Sequence, residues 1–318
     1  MKIVVLDGHT LNPGDLSWEG LKQLGEVSIY PRTPRDQVVA RAKGAPILLT
    51  NKTVLDALIL QQLPKLKYIG VLATGYNVVD VDYCQKHGII VTNVPGYGPK
   101  TVAQMVFAHI LNLTNHVYLH HLSVIQGKWS KGEDFCYWEK PILDLEGKVL
   151  GIIGFGQVGR EVAQMAKGFG LKTIVHTRNI PNQHFPDIKF VSLTELIKTS
   201  DIISLNCPLT KQTYQMVNKD FLQQMKTSAF LINCGRGDLI DETALKWALE
   251  NNKIAGAGLD VLSQEPPPLD HPLFSCPNVF FTPHIAWAGR KARQNLLNIA
   301  IQNVKSFLAG KPENVVNP

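Results

Sequence analysis

The run Val149-Leu150-Gly151-Ile152-Ile153-Gly154-Phe155-Gly156-Gln157-Val158-Gly159-Arg160 constrains the fold more than any other stretch of this 318-residue chain. An apolar, strand-like segment leads into Gly154, Gly156 and Gly159, spaced GxGxxG, and a helix-compatible stretch, Gln157 to Phe169, follows at once. Glycines at this spacing mean little alone; between a strand and a helix each has a job. Gly154 permits the tight turn, Gly156 lets a pyrophosphate approach the backbone, and Gly159 lets helix and strand pack closely. The helix start offers unpaired amides and a positive dipole end to that anion. No Gly-Lys-Ser or Gly-Lys-Thr follows, so a P-loop is excluded. A dinucleotide site is expected, touching Gly154, Phe155, Gly156, Gln157, Val158 and Gly159.

The rest of the chain repeats strand and helix signals. Strands are expected over Lys2–Asp7, Glu26–Tyr30, Pro46–Thr50, Tyr68–Ala73 and Ile89–Asn93, with amphipathic stretches such as Arg35–Lys43 and Val54–Leu63 between them. A second series covers Val149–Gly154, Lys172–Thr177, Asp201–Asn206, Ala229–Asn233, Ala255–Asp260 and Val279–Thr282. Such alternation predicts α/β architecture, two doubly wound parallel-sheet domains. Turn residues at Pro95-Gly96-Tyr97-Gly98-Pro99 mark a boundary. One long helix is expected from Thr101 to about Leu122, and another over Ala292–Leu308. Between Gly127 and Lys140, Trp129, Phe135, Tyr137 and Trp138 suggest a lid or a subunit contact.

A net charge of +6 comes from scattered Lys and Arg, which suits anionic small molecules better than nucleic acid. The five cysteines form no CxxC pair and no metal-ligand cluster, so neither a metal site nor a disulfide framework is expected. Reduced thiols, an N-terminal MKIVVLDG read as a buried strand, and no membrane-length apolar run point to a cytoplasmic protein.

Binders of NAD usually place a carboxylate at the end of the second strand, about 20 residues after the glycines. Here that strand ends His176-Thr177-Arg178-Asn179. Without the carboxylate nothing at Thr177 repels a 2′-phosphate, and Arg178 can pair with it. The cofactor is therefore read as NAD(P), with a lean toward NADP(H).

Three further residues fit one chemistry. Arg236 follows a strand, in Asn233-Cys234-Gly235-Arg236-Gly237-Asp238; Glu265 lies in Asp260-Val261-Leu262-Ser263-Gln264-Glu265-Pro266; His284 lies in Thr282-Pro283-His284-Ile285. A 2-oxo acid needs a cationic fork for its carboxylate, which Arg supplies. The alkoxide formed on reduction needs a proton donor that titrates near neutrality, which His supplies. The imidazolium needs a carboxylate to orient it and favour its charged form, a task open to Glu265. His9, His87, His120, His121, His176, His184 and His271 have no comparable setting and read as surface or capping residues, and the polar residues of the long helix, His109 among them, as locally hydrogen-bonded.

The order and spacing of GxGxxG, Cys207-Pro208-Leu209-Thr210, NCGRGDLID, GLDVLSQEPP and TPHIAWA resemble the D-isomer-specific 2-hydroxyacid dehydrogenase family over almost the whole chain. Leu48-Leu49-Thr50-Asn51-Lys52-Thr53, Ala73-Thr74-Gly75-Tyr76-Asn77 and Trp287 resemble its glycerate dehydrogenase or hydroxypyruvate reductase branch. The resemblance implies that Arg236 binds the substrate carboxylate, that His284 is the acid/base and that Glu265 is its partner. It implies that Asp260 holds the nicotinamide carboxamide and that Cys207, Pro208 and Cys234 line the cofactor groove. Asn51, Lys52, Thr74, Gly75 and Trp287 would contact substrate. It also implies a Rossmann-type cofactor domain (residues 98–288) inserted in a flavodoxin-like substrate-binding domain (1–97 plus 289–318), and a homodimer.

The expected reaction is hydride transfer between NAD(P)H and hydroxypyruvate or glyoxylate, reversibly D-glycerate. D-Lactate or phosphoglycerate are the alternatives in the class, the latter disfavoured because Asn51 beside Lys52 is uncharged. Formate oxidation would not need the His284–Glu265 pair. A non-catalytic, NAD(H)-gated corepressor-like protein is the alternative from another class.

Overall fold

The computed structural model describes residues 1–318. In chain order the elements are β1 (Lys2–Val5), α1 (Glu19–Lys22), β2 (Glu26–Ile29), α2 (Val38–Ala42), β3 (Ile47–Thr50), α3 (Ala57–Leu60), β4 (Tyr68–Val71), α4 (Val81–Lys86) and β5 (Ile90–Thr92). There follow α5 (Pro99–Asn115), α6 (Val117–Ile125), β6 (Val149–Ile153), α7 (Gln157–Gly168), β7 (Lys172–His176), β8 (Ile188–Phe190), α8 (Leu193–Thr199), β9 (Ile202–Leu205) and α9 (Lys219–Gln224). The chain ends with β10 (Phe230–Asn233), α10 (Glu242–Glu250), β11 (Gly256–Leu259), β12 (Val279–Phe281) and α11 (Arg290–Leu308). It divides into two units, Met1–Gly98 with Ala288–Pro318, and Pro99–Trp287.

The first unit carries a five-stranded parallel sheet ordered β2-β1-β3-β4-β5. β3 and β4 are buried throughout, as expected of parallel strands covered on both faces. Arg293 of α11 is buried and tied to Asp15 by two hydrogen bonds of 2.7 Å. The strand order reverses between β1 and β3. There the Asp7 carboxylate, which follows β1, accepts the backbone N–H groups of Asn51, Lys52 and Thr53 at 2.6–2.8 Å.

The second unit carries a seven-stranded parallel sheet ordered β12-β11-β10-β9-β6-β7-β8. Side chains of β6 alternate between two cores: Leu150 and Ile152 pack with α5 and α7, and Ile153 packs on the other face with residues of α8, α9 and α10. On α7, Gly159, Val162, Ala163 and Ala166 are buried, the one-stripe spacing of a helix lying on a sheet. The strand order reverses between β6 and β9, where open α/β sheets place their ligand crevice.

Three expectations are corrected. β8, which pairs with β7, was outside the strand series. The long helix is two helices, because His116 takes a left-handed conformation (φ 50°) and ends α5. The Val54–Leu63 stretch holds only the single turn α3, whose N–H groups are capped by Asp56.

Candidate active site

The glycine loop joins β6 to α7 at the sheet's reversal point. Gly154 has φ +93°, and a Cβ there would lie 2.6 Å from Cys207 N and 2.7 Å from Asn206 O. A Cβ on Gly159 would lie 2.2 Å from Gly154 O, so helix and turn close on each other only without side chains. At exposed Gly156 an added Cβ would meet nothing within 4 Å. That leaves open space beside the backbone at a helix start, which an incoming pyrophosphate requires.

The Phe155 side chain is buried, edge-on to Phe185 and Phe190 at 5.0 and 5.5 Å, and anchors the loop. Gln157 is exposed and Val158 half-buried. Half-buried Thr177 and exposed Arg178 follow β7, with no carboxylate in that turn. Past β9, Asn206 donates Nδ2 to Ser204 O and Oγ, whereas its Oδ1 is buried without a partner. Unpaired buried acceptors are rare, and a ligand hydroxyl would satisfy this one. Cys207 is half-buried, Pro208 exposed and Cys234 buried, and burial raises the proton affinity of both thiols. By glycine geometry, the orphaned acceptor and the empty second-strand turn, these residues fit a bound NAD(P).

Arg236 and Glu265 stand on loops that are locked together. Buried Asn233 accepts Gly235 N at 3.0 Å and donates to Arg236 O at 2.8 Å, bracing the turn after β10. A Cβ on Gly237 would lie 2.0 Å from the carbonyl carbon of Leu262 and 2.3 Å from Ser263 N, so the two backbones touch. Arg236 is exposed, and its guanidinium donates to Gly235 O at 2.7 Å. Glu265 accepts Leu262 N at 3.1 Å through Oε1, and its Oε2 lies 2.6 Å from His284 Nδ1.

His284 has φ +53°, a left-handed conformation that few residues other than glycine adopt. Its N–H donates to Asp260 O at 2.7 Å. The Asp260 carboxylate, only 2% exposed, accepts Thr282 Oγ1 (2.5 Å), Ile285 N (2.9 Å) and Ala286 N (2.8 Å). Trp287 donates its indole N–H to His284 O at 2.9 Å. Asp260 and Trp287 thus hold the histidine turn from two sides.

Arg236, Glu265, His284 and Trp287 belong to the second unit; Asn51, Lys52, Thr74 and Gly75 belong to the first. Asn51 is buried and donates to Leu72 O at 2.9 Å, Lys52 is exposed, and Thr74 donates to Val94 O at 2.9 Å. Sequence reasoning missed Asn206, Asn233 and Glu242. His271, read as a surface or capping residue, is a cap: its Nδ1 accepts Leu273 N at 3.4 Å, while the side chain is 5% exposed with Nε2 3.2 Å from Glu242. Glu242 in turn accepts Ser263 N (2.8 Å) and Oγ (2.6 Å), supporting the loop of Glu265. His109 is buried too, and its partner Thr282 is distant in sequence, not local.

Known proteins resemble this chain over nearly its whole length. The profile of the "D-isomer specific 2-hydroxyacid dehydrogenase, NAD binding domain" matches residues 107–286. The chain is 43% identical to the hydroxypyruvate reductase of Blautia hydrogenotrophica, with 100% of both chains covered. It is 41% identical to the glycerate dehydrogenase of Methylorubrum extorquens, covering 99% of this chain and 98% of the other. Among solved structures, an acyclic imino acid reductase in complex with NADPH and D-Arg is similar at a TM-score of 0.85, with 32% identity over 99% of this chain and 100% of the other.

Proposed function

Because this chain belongs to the D-isomer specific 2-hydroxyacid dehydrogenase family, and is thus an NAD(P)-dependent oxidoreductase acting on CH–OH, we propose that it reduces hydroxypyruvate or glyoxylate and, in reverse, oxidises D-glycerate. The observation that carries the reading is the His284–Glu265 contact of 2.6 Å.

When bound, NAD(P)H supplies the hydride that adds to the carbonyl carbon. Everything else falls to side chains. Arg236 pairs its guanidinium with the substrate carboxylate and draws charge from the ketone oxygen, a task its exposed position leaves open. His284 gives its proton to that oxygen as the alkoxide forms. Glu265 accepts at Nδ1, so Nε2 is the nitrogen that meets substrate. In the oxidative direction the same nitrogen takes the proton back.

For the cofactor we propose the glycine loop, Thr177, Arg178, Cys207, Pro208 and Cys234 as its contacts, with NADP(H) preferred. The turn after β7 carries exposed Arg178 and no carboxylate, which suits a 2′-phosphate. Asp260 Oδ2 takes a single donor, Ala286 N, which leaves it acceptor capacity for the carboxamide. The first unit is proposed as the substrate-binding domain, with Asn51, Lys52, Thr74 and Gly75 as contacts; Asp7 holds the Asn51–Thr53 turn in place. Trp287 is proposed to reach substrate beside His284.

A cytoplasmic homodimer completes the reading. All five cysteines are free, and Val117, Tyr118, Ile125, Trp129, Phe135 and Trp138 leave more than half of their surfaces exposed along and after α6. Light scattering on the purified protein tests the dimer. A panel of hydroxypyruvate, glyoxylate, pyruvate and phosphohydroxypyruvate, each with NADH and NADPH, tests the substrate. Hydroxypyruvate or glyoxylate with NADPH should give the highest kcat/KM, and preference for a phosphorylated acid would refute the choice.

A further inference from the structure

We propose that His109, a buried histidine on α5, is a positioning residue for His284, acting through Thr282 and Asp260. The proposal rests on the dehydrogenase reading of His284 given above.

The contact joins α5 to the loop after β12, on the face of the sheet that α5 covers. His109 Nε2 lies 3.0 Å from Thr282 Oγ1, and Thr282 Oγ1 lies 2.5 Å from Asp260 Oδ1. A threonine hydroxyl has one proton, and an ionised carboxylate only accepts. Thr282 therefore donates to Asp260, and a lone pair of its oxygen receives the proton of His109 Nε2. The direction of both bonds is fixed, and Nε2 of the ring carries a proton. Burial lowers the proton affinity of His109, against the opposing pull of Asp260, which agrees with a neutral ring.

The seat of the ring is built for it. A Cβ on Gly258 of β11 would lie 2.6 Å from His109 Cβ, 2.8 Å from Cγ and 2.9 Å from Nδ1. Only a glycine lets the imidazole lie flat against that strand. Polar burial costs free energy unless it is hydrogen-bonded, and an aliphatic side chain would fill the same space without that demand.

What the ring contributes is orientation. Without a donor at Nε2 the Thr282 hydroxyl is free to rotate, and Asp260 Oδ1 loses its shortest partner. The same carboxylate receives Ile285 N and Ala286 N, and the Asp260 carbonyl receives His284 N. A left-handed histidine persists only where its surroundings over-determine it. His109 reaches that turn from α5, the helix that shares a core with Ala286.

The test uses the full-length protein and four substitutions. His109→Leu and Thr282→Val remove the donor and the hydroxyl; His109→Gln and Thr282→Ser restore each group. With hydroxypyruvate, each removal is expected to lower kcat by about tenfold or more, with the NADPH dissociation constant changed by less than about twofold. Each conservative variant should recover most of the loss. The His109→Leu/Thr282→Val double variant should be no worse than Thr282→Val alone, since both act along one path. Additive losses, or a lower melting temperature with kcat unchanged, would overturn the proposal. Nitrogen-15 spectra give a readout independent of turnover. The proposal requires a protonated Nε2 and bare Nδ1 on His109, and a displaced His284 signal in His109→Leu. A charged ring or an unmoved His284 signal overturns it even if the 2-oxo acid reading itself fails.

Discussion

His284 Nδ1 and Glu265 Oε2 meet at 2.6 Å although 19 residues and two loops separate them. Neither loop is held by the pair itself. Asp260 and Trp287 fix the histidine turn, and the contact of Gly237 with Leu262 and Ser263, with Glu242 behind it, fixes the glutamate. The geometry is therefore imposed on the two side chains by their scaffold, as preorganised catalysis requires.

Glu265→Gln keeps the shape of the side chain and removes its charge. It should lower kcat for hydroxypyruvate by about 10²-fold or more, the scale of a lost acid/base contribution. NADPH affinity, measured by fluorescence titration, should stay near wild type.

Thr177→Asp restores a carboxylate to the turn after β7. Repulsion of a 2′-phosphate should move the NADPH/NADH ratio of kcat/KM toward NADH by on the order of tenfold. Unchanged selectivity would count against Arg178 as the phosphate partner.

The chain's strands were legible because buried parallel strands are continuous apolar runs, and β6, β9 and β10 each read that way. β8 was not, since Ile188-Lys189-Phe190 is too short to show a period. The break at His116 depends on one φ angle that no helical pattern reports. The catalytic candidates were legible from their motifs and from resemblance. Their supports were not: Asn233, Glu242, His109 and Asn206 are ordinary polar residues in sequence. Folding alone brings His109 to Thr282 and Glu242 to Ser263, partners many positions away, while Asn233 and Asn206 bond within three residues in turns that no pattern reports.

Two glycines should respond oppositely to alanine. Gly237→Ala puts a Cβ 2.0 Å from the Leu262 backbone, which cannot yield as a side chain would, and should destabilise the fold by about 1–3 kcal/mol. Gly156→Ala enters open space at a normal φ of −75° and should leave thermal unfolding unchanged while weakening cofactor binding. Calorimetry and NADPH titration separate the two outcomes.

Asn206→Ala removes the orphaned acceptor beside the glycine loop. Cofactor affinity should fall by roughly twofold to tenfold, the worth of one hydrogen bond. An affinity unchanged in titration would assign the unpaired oxygen no ligand.

Burial lowers the proton affinity of His109 despite Asp260, and burial followed by Lys140 and His120 does the same for His116. A histidine depressed in the folded state stays neutral there, while the unfolded chain takes up its proton near the ordinary value of about 6.5. The stability these two residues allow is thus complete above that pH and is lost as pH falls below it. Urea midpoints between about pH 5 and 8 should decline on the acid side, and His109→Leu should flatten that decline.

The account turns on His284 moving the proton that accompanies hydride transfer. Its most direct test follows hydroxypyruvate-dependent loss of the reduced-nicotinamide band near 340 nm for wild-type and His284→Ala protein, with NADPH binding measured on both. Rapid loss by the wild type, a rate lower by about 10²-fold or more in the variant, and equal NADPH affinity are predicted. A variant that still reduces hydroxypyruvate at the wild-type rate, or that fails because it no longer binds NADPH, would contradict it.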